Sequence, residues 1–541
     1  LHFASLGGHL DVVQYLVSQG AQVERGNNNG STPLHFASLG GHLDVVQYLV
    51  SQGAQVERGD KNGLKPLQDA SHEGHLDVVE YLVSQGAQVE RGNNNGSTPL
   101  HVASQGGHLD VVQYLVSQGA QVERGNNDGS TPLHFASKGG HLDIVQYLVS
   151  RGAQVERGNN KGSTPLHDAS HKGHIDLVQY LVSQGAQVER GNNNGSTPLH
   201  FASLGGHLDV VQYLVSQGAQ VERGNNDGST PSHFASQGGH LDVVQYLVSQ
   251  GAQEGRGNND GSTSSHFASQ GGHLDVVQYL VSQGAQVERG NNDGSTPLHF
   301  ASKGGHLDIV QYLVSRGAQV ERERGNNKGS TPLQDASHEG HLDVVEYLVS
   351  QGAQVERGNN NGSTPLHVAS QGGHLDVVEY LVSKGAQVTR GNNNGTTPLL
   401  DVVQYLVSQG AQVERGDKNG LKPLQDASHE GHLDVVEYLV SQGAQVERGN
   451  NNGSTPLHVA SQGGHLDVVQ YLVSQGAQVE RGNNDGSTPL HFASQGGHLD
   501  IVQYLVSRGA QVERVKEHRK GGVIMMVRHL LISHHKEVIL M

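Results

Sequence analysis

The feature that most constrains this chain is a regular recurrence of proline. The 14 prolines stand at positions 33, 66, 99, 132, 165, 198, 231, 297, 332, 365, 398, 423, 456 and 489, and all but three of the steps between them are 33 residues. Ser264 fills the missing slot after Pro231, an extra Glu-Arg near 321–324 lengthens one step, and a deletion after Pro398 shortens another by eight. A fixed period of this length indicates a protein built from stacked copies of one small repeat.

The first half of each repeat carries the signals of a turn and a short helix. One copy, read from Asn27, has the sequence NNNGSTPLHFASLGGHLDVVQYLVSQGAQVERG. The Asn-Gly pair near its start predicts a tight turn, because both residues tolerate positive φ. Thr32 and Pro33 then predict the N-cap and first residue of a helix, which Gly40 and Gly41 end after about two turns.

The second half predicts another helix and a connecting arm. Its apolar stripe at helical spacing consists of Leu43, Val46, Leu49 and Val50. Gly53 ends this helix, and residues 54–58 are expected to run extended into the next turn. Each repeat is therefore predicted to be turn, helix, helix and arm.

Composition agrees with an array of thin layers. Only 34% of the 541 residues are hydrophobic and 4% aromatic, too few for one large core, whereas two short helices can bury an apolar stripe against neighbouring copies. Most repeats carry one Asp, one Glu and one Arg, which accounts for nearly all of the net charge of −17 and disfavours nucleic acid or an anionic membrane as the main partner. The absence of Cys excludes disulfides, thiolate zinc sites and a cysteine nucleophile.

At Thr-Pro-Leu-His, Gly-His-Leu-Asp-Val-Val and Gly-Ala-Gln-Val, the sequence resembles the ankyrin repeat. The resemblance covers residues 1–514 and implies an all-α solenoid of helix-turn-helix repeats with β-hairpin finger loops. It also implies a non-enzymatic binder whose partners lie along the fingers and the concave first-helix face. Gln55 and Glu57 replace the Asp and Asn that the family usually has after Gly-Ala, so the asparagine hydroxylated in some ankyrin repeats is absent.

The expected domain organisation is one array followed by a tail. Residues 1–514 comprise a partial repeat at 1–26 and fifteen further repeats, of which the one at 392–416 is truncated and lacks its first-helix segment. A chain that starts mid-motif at Leu1 is interpreted as a fragment of a larger protein. Residues 515–541 leave the repeat and are net positive, and they are expected either to cap the last repeat, to form a membrane-surface or partner helix, or to have no role.

One repeat is expected to be weak. Ser264 and Ser265 replace its Pro-Leu, and Glu254-Gly255 replace Val-Glu just before it. These changes remove a helix-starting proline and two apolar groups, each of which stabilises by roughly 1.5–3 kcal/mol when buried.

No motif in the chain predicts catalysis, a cofactor or a metal. Histidines recur once per repeat at two slots, as in His35 and His42, and so are spread along an axis instead of converging as zinc ligands must. They are better interpreted as a ladder of helix-capping and inter-repeat hydrogen bonds. The string His72-Glu73-Gly74-His75 is one residue short of a zincin motif, and Gly74 breaks the helix.

The third position after proline shows a correlated substitution. It holds Phe in eight repeats, Val in three and Asp in four, and every Asp is followed three residues later by His. These pairs are Asp69/His72, Asp168/His171, Asp335/His338 and Asp426/His429. Two interpretations stand: local charge compensation inherited by copying, or polar hot spots for a partner, tuned near neutral pH.

Candidate partner-facing residues are those that vary between otherwise near-identical repeats at exposed slots, namely the finger tip and the end of the first helix. Solvent-exposed positions that simply tolerate substitution would show the same variation. The candidates are Asn29, Leu39, Asp69, His72, Glu73, Gln105, Asp128, Lys138, Lys161, Asp168 and His171.

The leading hypothesis is a cytoplasmic, monomeric scaffold that binds other proteins, without nucleic acid, membrane insertion or enzyme activity. The alternative is a targeting module of a larger enzyme, signalling protein or membrane channel. A histidine-linked pH response is a third hypothesis.

Overall fold

The computed structural model describes residues 1–321, 325–398 and 402–511, and in these ranges every regular element is an α-helix. The chain forms two compact units, Leu1–Gln286 (unit 1) and Val287–Met541 (unit 2). The helices of unit 1 are α1 His2–Leu6, α2 Leu10–Ser18, α3 Pro33–Leu39, α4 Leu43–Ser51, α5 Pro66–Glu73, α6 Leu76–Ser84, α7 Pro99–Gly106, α8 Leu109–Ser117, α9 Pro132–Gly139, α10 Leu142–Ser150, α11 Pro165–Lys172, α12 Ile175–Ser183, α13 Pro198–Gly205, α14 Leu208–Ser216, α15 Pro231–Gly238, α16 Leu241–Ser249, α17 Ser264–Gly271 and α18 Leu274–Ser282. Those of unit 2 are α19 Pro297–Gly304, α20 Leu307–Ser315, α21 Pro332–Glu339, α22 Leu342–Ser350, α23 Pro365–Gln371, α24 Leu375–Ser383, α25 Val403–Ser408, α26 Pro423–Glu430, α27 Leu433–Ser441, α28 Pro456–Gly463, α29 Leu466–Ser474, α30 Pro489–Gly496 and α31 Leu499–Ser507.

The first helix of each repeat begins where the sequence predicts. In α3, Thr32 is the N-cap with extended backbone, Pro33 is the first helical residue, and the Thr32 N–H donates to Nδ1 of His35 at 3.0 Å. The imidazole thus takes the place of the Glu or Gln of a capping box. Within each unit, first helices pack against the first helices of adjacent repeats, so the predicted solenoid is confirmed.

The second helix contributes most of the core. In α4, Val45, Val46 and Leu49 are fully buried, together with Leu34 and Ala37 of α3. The predicted stripe was partly wrong, because Leu43 and Val50 are only partly buried and Val45 was not included in it. Val45 is buried because the second helix packs against both its own first helix and the second helix of the next repeat.

The fingers are tight turns. The Asn27 side chain accepts hydrogen bonds from the N–H groups of Asn29 and Ser31 at 2.8 and 3.0 Å, and Gly30 has φ +84°. In the described residues these loops contain no β-strand, so the hairpin fingers are closed by side-chain and turn hydrogen bonds without a paired sheet. The arm at 54–58 is not fully extended either: it turns, with the Arg58 N–H donating to the Gln55 carbonyl at 3.3 Å.

The irregular repeats keep most of their structure. Helix α17 starts at Ser264 despite the missing proline, because Thr263 and His266 still form the N-terminal hydrogen bond, at 3.1 Å. In the truncated repeat the described residues contain only the shortened second helix α25. Residues 399–401 of the deletion and the tail at 515–541 lie outside the described residues.

Candidate functional site

Two rows of histidines join successive repeats. At the second position after proline, His35 accepts at Nδ1 from Thr32 and donates from Nε2 to the carbonyl of Leu64 in the next repeat, at 3.0 Å. At the ninth position, His42 donates from Nε2 to the Leu6 carbonyl of the preceding repeat, at 2.8 Å. The predicted ladder of helix-capping and inter-repeat hydrogen bonds is confirmed, and it fixes His35 in its neutral form because Nδ1 is an acceptor.

Finger tips are also tied to each other. The Asn94 N–H donates to the Asn62 carbonyl at 2.9 Å, and the Asn94 side chain donates to the Lys61 carbonyl at 2.9 Å. Below the tips, Glu24 accepts from the Gln55 N–H at 2.7 Å and from Arg58 at 2.9 Å. The backbone that carries the variable side chains is therefore held in place before any partner binds.

In the described residues no hydrogen bond or ion pair joins the predicted Asp–His pairs, although the charges of His338 and His429 lower the pKa values of Asp335 and Asp426. His72 donates to the adjacent Glu73 at 2.8 Å, and His338 and His429 do the same with their neighbouring glutamates, at 3.3 and 3.0 Å. The fourth, His171, is followed by a lysine and lies edge-on to the ring of Phe201, 6.0 Å between centroids. The sequence analysis did not consider the glutamate next to each of these three histidines. An ionised glutamate at the helix end is a stronger hydrogen-bond acceptor than the partly buried aspartate three residues earlier.

The four aspartates are left with strongly raised pKa values. Burial raises the pKa of Asp69 to about 8, with a further contribution from Asp60 and Glu73. It raises the pKa of Asp168 to about 7, against the opposing charge of Lys138. For Asp335 and Asp426 burial raises the pKa to about 6 in each case.

Replacing Asp69 with Val is expected to stabilise α5 at alkaline pH. The next repeat already has a valine at this position, Val102. The folded-state pKa of Asp69 lies above that of an unfolded aspartate, so its contribution to stability is lost as pH rises from about 4 to about 8. We expect a gain of roughly 2 kcal/mol at pH 8.5 and much less at pH 5, measured by hydrogen exchange of the α5 amides. An equal gain at both pH values would show that the effect is apolar packing alone.

One cleft brings together four of the sequence-predicted residues. It has a volume of about 340 Å³ and lies between the finger and first helix of one repeat and those of the next. Asp128 and Lys161 come from the two finger tips, Lys138 from the end of α9, and Asp168 from α11. His171 lies close enough for the charge of Lys138 to lower its pKa, after burial and Lys172.

The other predicted residues lie on different repeats, outside this cleft. Asn29, Leu39, His72, Glu73 and Gln105 are exposed, and Leu39 is one of the few exposed large hydrophobic residues, at 38%. Asp69 is partly buried.

Sequence reasoning missed part of the cleft lining. Phe135 forms one wall, its ring held edge-on to His101 at 5.2 Å, and Asn126, Ser130, Asn159 and Asn160 complete the rim. The tight-turn prediction covered only the residue directly before glycine, so these three asparagines were not considered. Their position beside the variable tips, at the same point of the 33-residue register, was the signal that could have identified them.

The described ranges contain no group of three or more residues placed to hold a metal ion. Over the same ranges, none of the helices combines the length and apolar character needed to cross a bilayer.

The sequence matches the family described as "Ankyrin repeats (3 copies)" in eleven overlapping segments, the first over 1–93 and the last over 445–516, which together cover residues 1–516. The crystal structure of the human ASB11 ankyrin repeat domain is 27% identical, aligned over 42% of this chain and 99% of that one, with a TM-score of 0.38. No curated protein matches the chain.

Proposed function

Because the chain belongs to the ankyrin-repeat family, whose repeats are generally protein–protein interaction modules, we propose that it is a non-catalytic scaffold. In this proposal partner proteins bind along the finger tips and the exposed ends of the first helices, which together we call the finger face. The second helices serve to hold the array together.

The distribution of variable residues carries this proposal. Repeats with the same second helix, LDVVQYLVS, differ at the finger tip and at the first-helix end, as in Asn29 against Asp227 and Leu39 against Gln105. These side chains are exposed, while the backbone beneath them is tied to the neighbouring repeats. A rigid surface with variable side chains loses little conformational entropy when a partner binds.

Site-specific photo-crosslinking tests the proposal. A photoreactive residue placed in the full chain at the finger-face positions Asn29 and Gln105 is expected to capture partner proteins from an extract of the source cells. The same residue at Gln47 or Gln113, which are equally exposed on second helices, is the matched control and is expected to capture few. Capture mainly from Gln47 and Gln113 would contradict the proposed binding face.

A further inference from the structure

Lysine is rare on the finger face and occurs there in register. Among the finger tips four residues before proline, only Lys161 and Lys328 are lysines, and at the first-helix end six residues after proline only Lys138 and Lys303 are. Each first-helix lysine is followed, in the next repeat, by the tip lysine and by an aspartate three residues after proline. The same constellation therefore occurs twice, once in unit 1 and once in unit 2.

In unit 1 both lysines open onto the cleft of about 340 Å³ described above. This volume lies in the range of small-ligand pockets. The walls are fixed: the Asn160 N–H donates to the Asp128 carbonyl at 2.8 Å, and the Asn159 side chain donates to Ser130 Oγ at 3.3 Å. Among the described residues, no ion pair joins Lys138 or Lys161 to a carboxylate.

Electrostatics favour an anion in this cleft. The pKa of His171, next to the cleft, is lowered by burial and then by the positive charges of Lys172, His207 and Lys138. The floor acid Asp168 repels an anion weakly, because burial raises its pKa to about 7 and its protonated form is a hydrogen-bond donor. Asp128 is exposed to solvent at the rim, where water screens its charge.

We propose that the Lys138–Lys161 cleft binds a carboxylate side chain from an acidic segment of a partner protein, and that Lys303 and Lys328, at the same register positions in unit 2, bind a second such side chain. The two ammonium groups hold the carboxylate, and the Phe135 ring packs against the apolar part of the segment. This inference rests on the proposed function and adds the chemistry of the partner to it.

An equivalent position in the same chain provides an internal contrast. Around Asp69 the two lysine slots are occupied by Leu39 and Asn62, and Asp60 and Glu73 raise the pKa of Asp69 further. That position has the same backbone with negative surroundings, so we expect it not to bind an acidic segment.

The test measures binding of a fluorescently labelled peptide rich in Glu with one Leu, against the same peptide with Gln in place of Glu, to the full chain. The Lys138→Gln/Lys303→Gln variant removes one lysine from each lysine pair and should fold, since Gln105 and Gln495 occupy the same slot. The Lys61→Asn/Lys418→Asn variant removes the same charge from two other fingers, five residues before proline, where other repeats carry Asn.

We expect two Glu peptides to bind per chain, with affinity that falls as salt is added and falls roughly tenfold in the Lys138→Gln/Lys303→Gln variant. The Lys61→Asn/Lys418→Asn variant is expected to change affinity less than twofold. Equal weakening by both variants, equal binding of the Gln peptide, or tighter binding of a single-stranded oligonucleotide would each overturn the inference. Crosslinks on the finger face combined with any of these results would leave the proposed function standing and reject only the acidic partner.

Discussion

Acidification from pH 7 to pH 5 is expected to unfold the repeats that carry a buried histidine two residues after proline, and residues 198–249 provide the segment for the test. In this segment His200 and His233 are 0% and 2% exposed, and burial lowers the pKa of each to about 4. In the folded state Nδ1 of each ring accepts a hydrogen bond from a backbone N–H. Protonation of Nδ1 would replace this hydrogen bond with a contact between two N–H groups.

The sign follows from proton linkage. An unfolded histidine titrates near 6.5, above the folded value, so the unfolded state binds more protons and stability falls as pH drops below 6.5. At pH 5 the loss is about 2 kcal/mol for each such histidine. Six histidines have a pKa lowered to about 4, so together they remove on the order of 10 kcal/mol of stability at pH 5.

The raised carboxyl pKa values act in the opposite direction but in other repeats. Three of the four aspartates, Asp69, Asp335 and Asp426, lie in repeats where Gln replaces the histidine. Those repeats become more stable on acidification, whereas residues 198–249 contain no aspartate at this slot. Between pH 7 and pH 5, a carboxyl whose pKa is raised to about 8, such as Asp69, gains at least as much stability as one buried histidine loses, so the sign of the effect differs between repeats. Acid unfolding is therefore expected to be local.

The chain itself supplies the matched substitution. Gln68 accepts from the Lys65 N–H at 3.0 Å and donates to the Ser97 carbonyl at 2.5 Å, reproducing both bonds of the histidine without a titratable group. His200→Gln/His233→Gln is expected to lower the acid unfolding midpoint of residues 198–249 by about one pH unit and to leave stability at pH 7.5 nearly unchanged. Hydrogen exchange resolved by repeat is the measurement. An unchanged midpoint would contradict the histidine mechanism.

Periodicity made the fold predictable from sequence, because each signal occurs many times. Thr32-Pro33, the paired glycines and the second-helix stripe located the helix starts and ends correctly. The errors are in features that periodicity does not determine. Val45 was left out of the stripe because a second helix in a stack is buried on two sides, and this depends on the neighbouring repeat.

The candidate site was less predictable, since it depends on which side chains meet across repeats. Lys138, Lys161 and Asp168 were each identified as variable, but their common cleft follows from the stacking of two repeats and is not visible in either one. His72 was paired with Asp69 by helical spacing, whereas the ring turned to the adjacent Glu73. Spacing gives the neighbours on a helix and does not give the rotamer that a buried or exposed environment selects.

Restoring leucine at Ser265 is expected to be the most stabilising single change in the chain. Most repeats have a leucine at this slot, such as Leu199 in α13, which is 0% exposed. Ser265 is 3% exposed and its hydroxyl has no hydrogen-bond partner, so the site combines a missing apolar side chain with an unsatisfied polar group. Ser265→Leu should stabilise the repeat by about 2–4 kcal/mol.

Ser232 is the matched comparison, and sequence reasoning had overlooked it. It occupies the same slot one repeat earlier, but its hydroxyl pairs with Ser264 Oγ at 3.1 Å. Ser232→Leu alone leaves the Ser264 hydroxyl without that partner, so its gain should be smaller than that of Ser265→Leu. Adding Ser264→Pro to both leucine changes removes the orphaned hydroxyl and restores the helix-starting proline, so the triple variant Ser232→Leu/Ser264→Pro/Ser265→Leu should gain more stability than either single change.

Hydrogen exchange of α15 to α18 at pH 7.5 measures these gains locally, because stability in a repeat array is a sum of repeat and interface contributions and not one global value. The order Ser232→Leu below Ser265→Leu, with the triple variant highest, is the expected result. A loss of protection in Ser265→Leu would mean that the surrounding side chains have closed over the space that leucine fills in the other repeats. The weakness of this repeat would then lie in Glu254 and Gly255, where other repeats have Val and Glu. The valine supplies an apolar side chain, and the glutamate accepts a hydrogen bond from a backbone N–H of the next arm, as Glu222 does from Gln253.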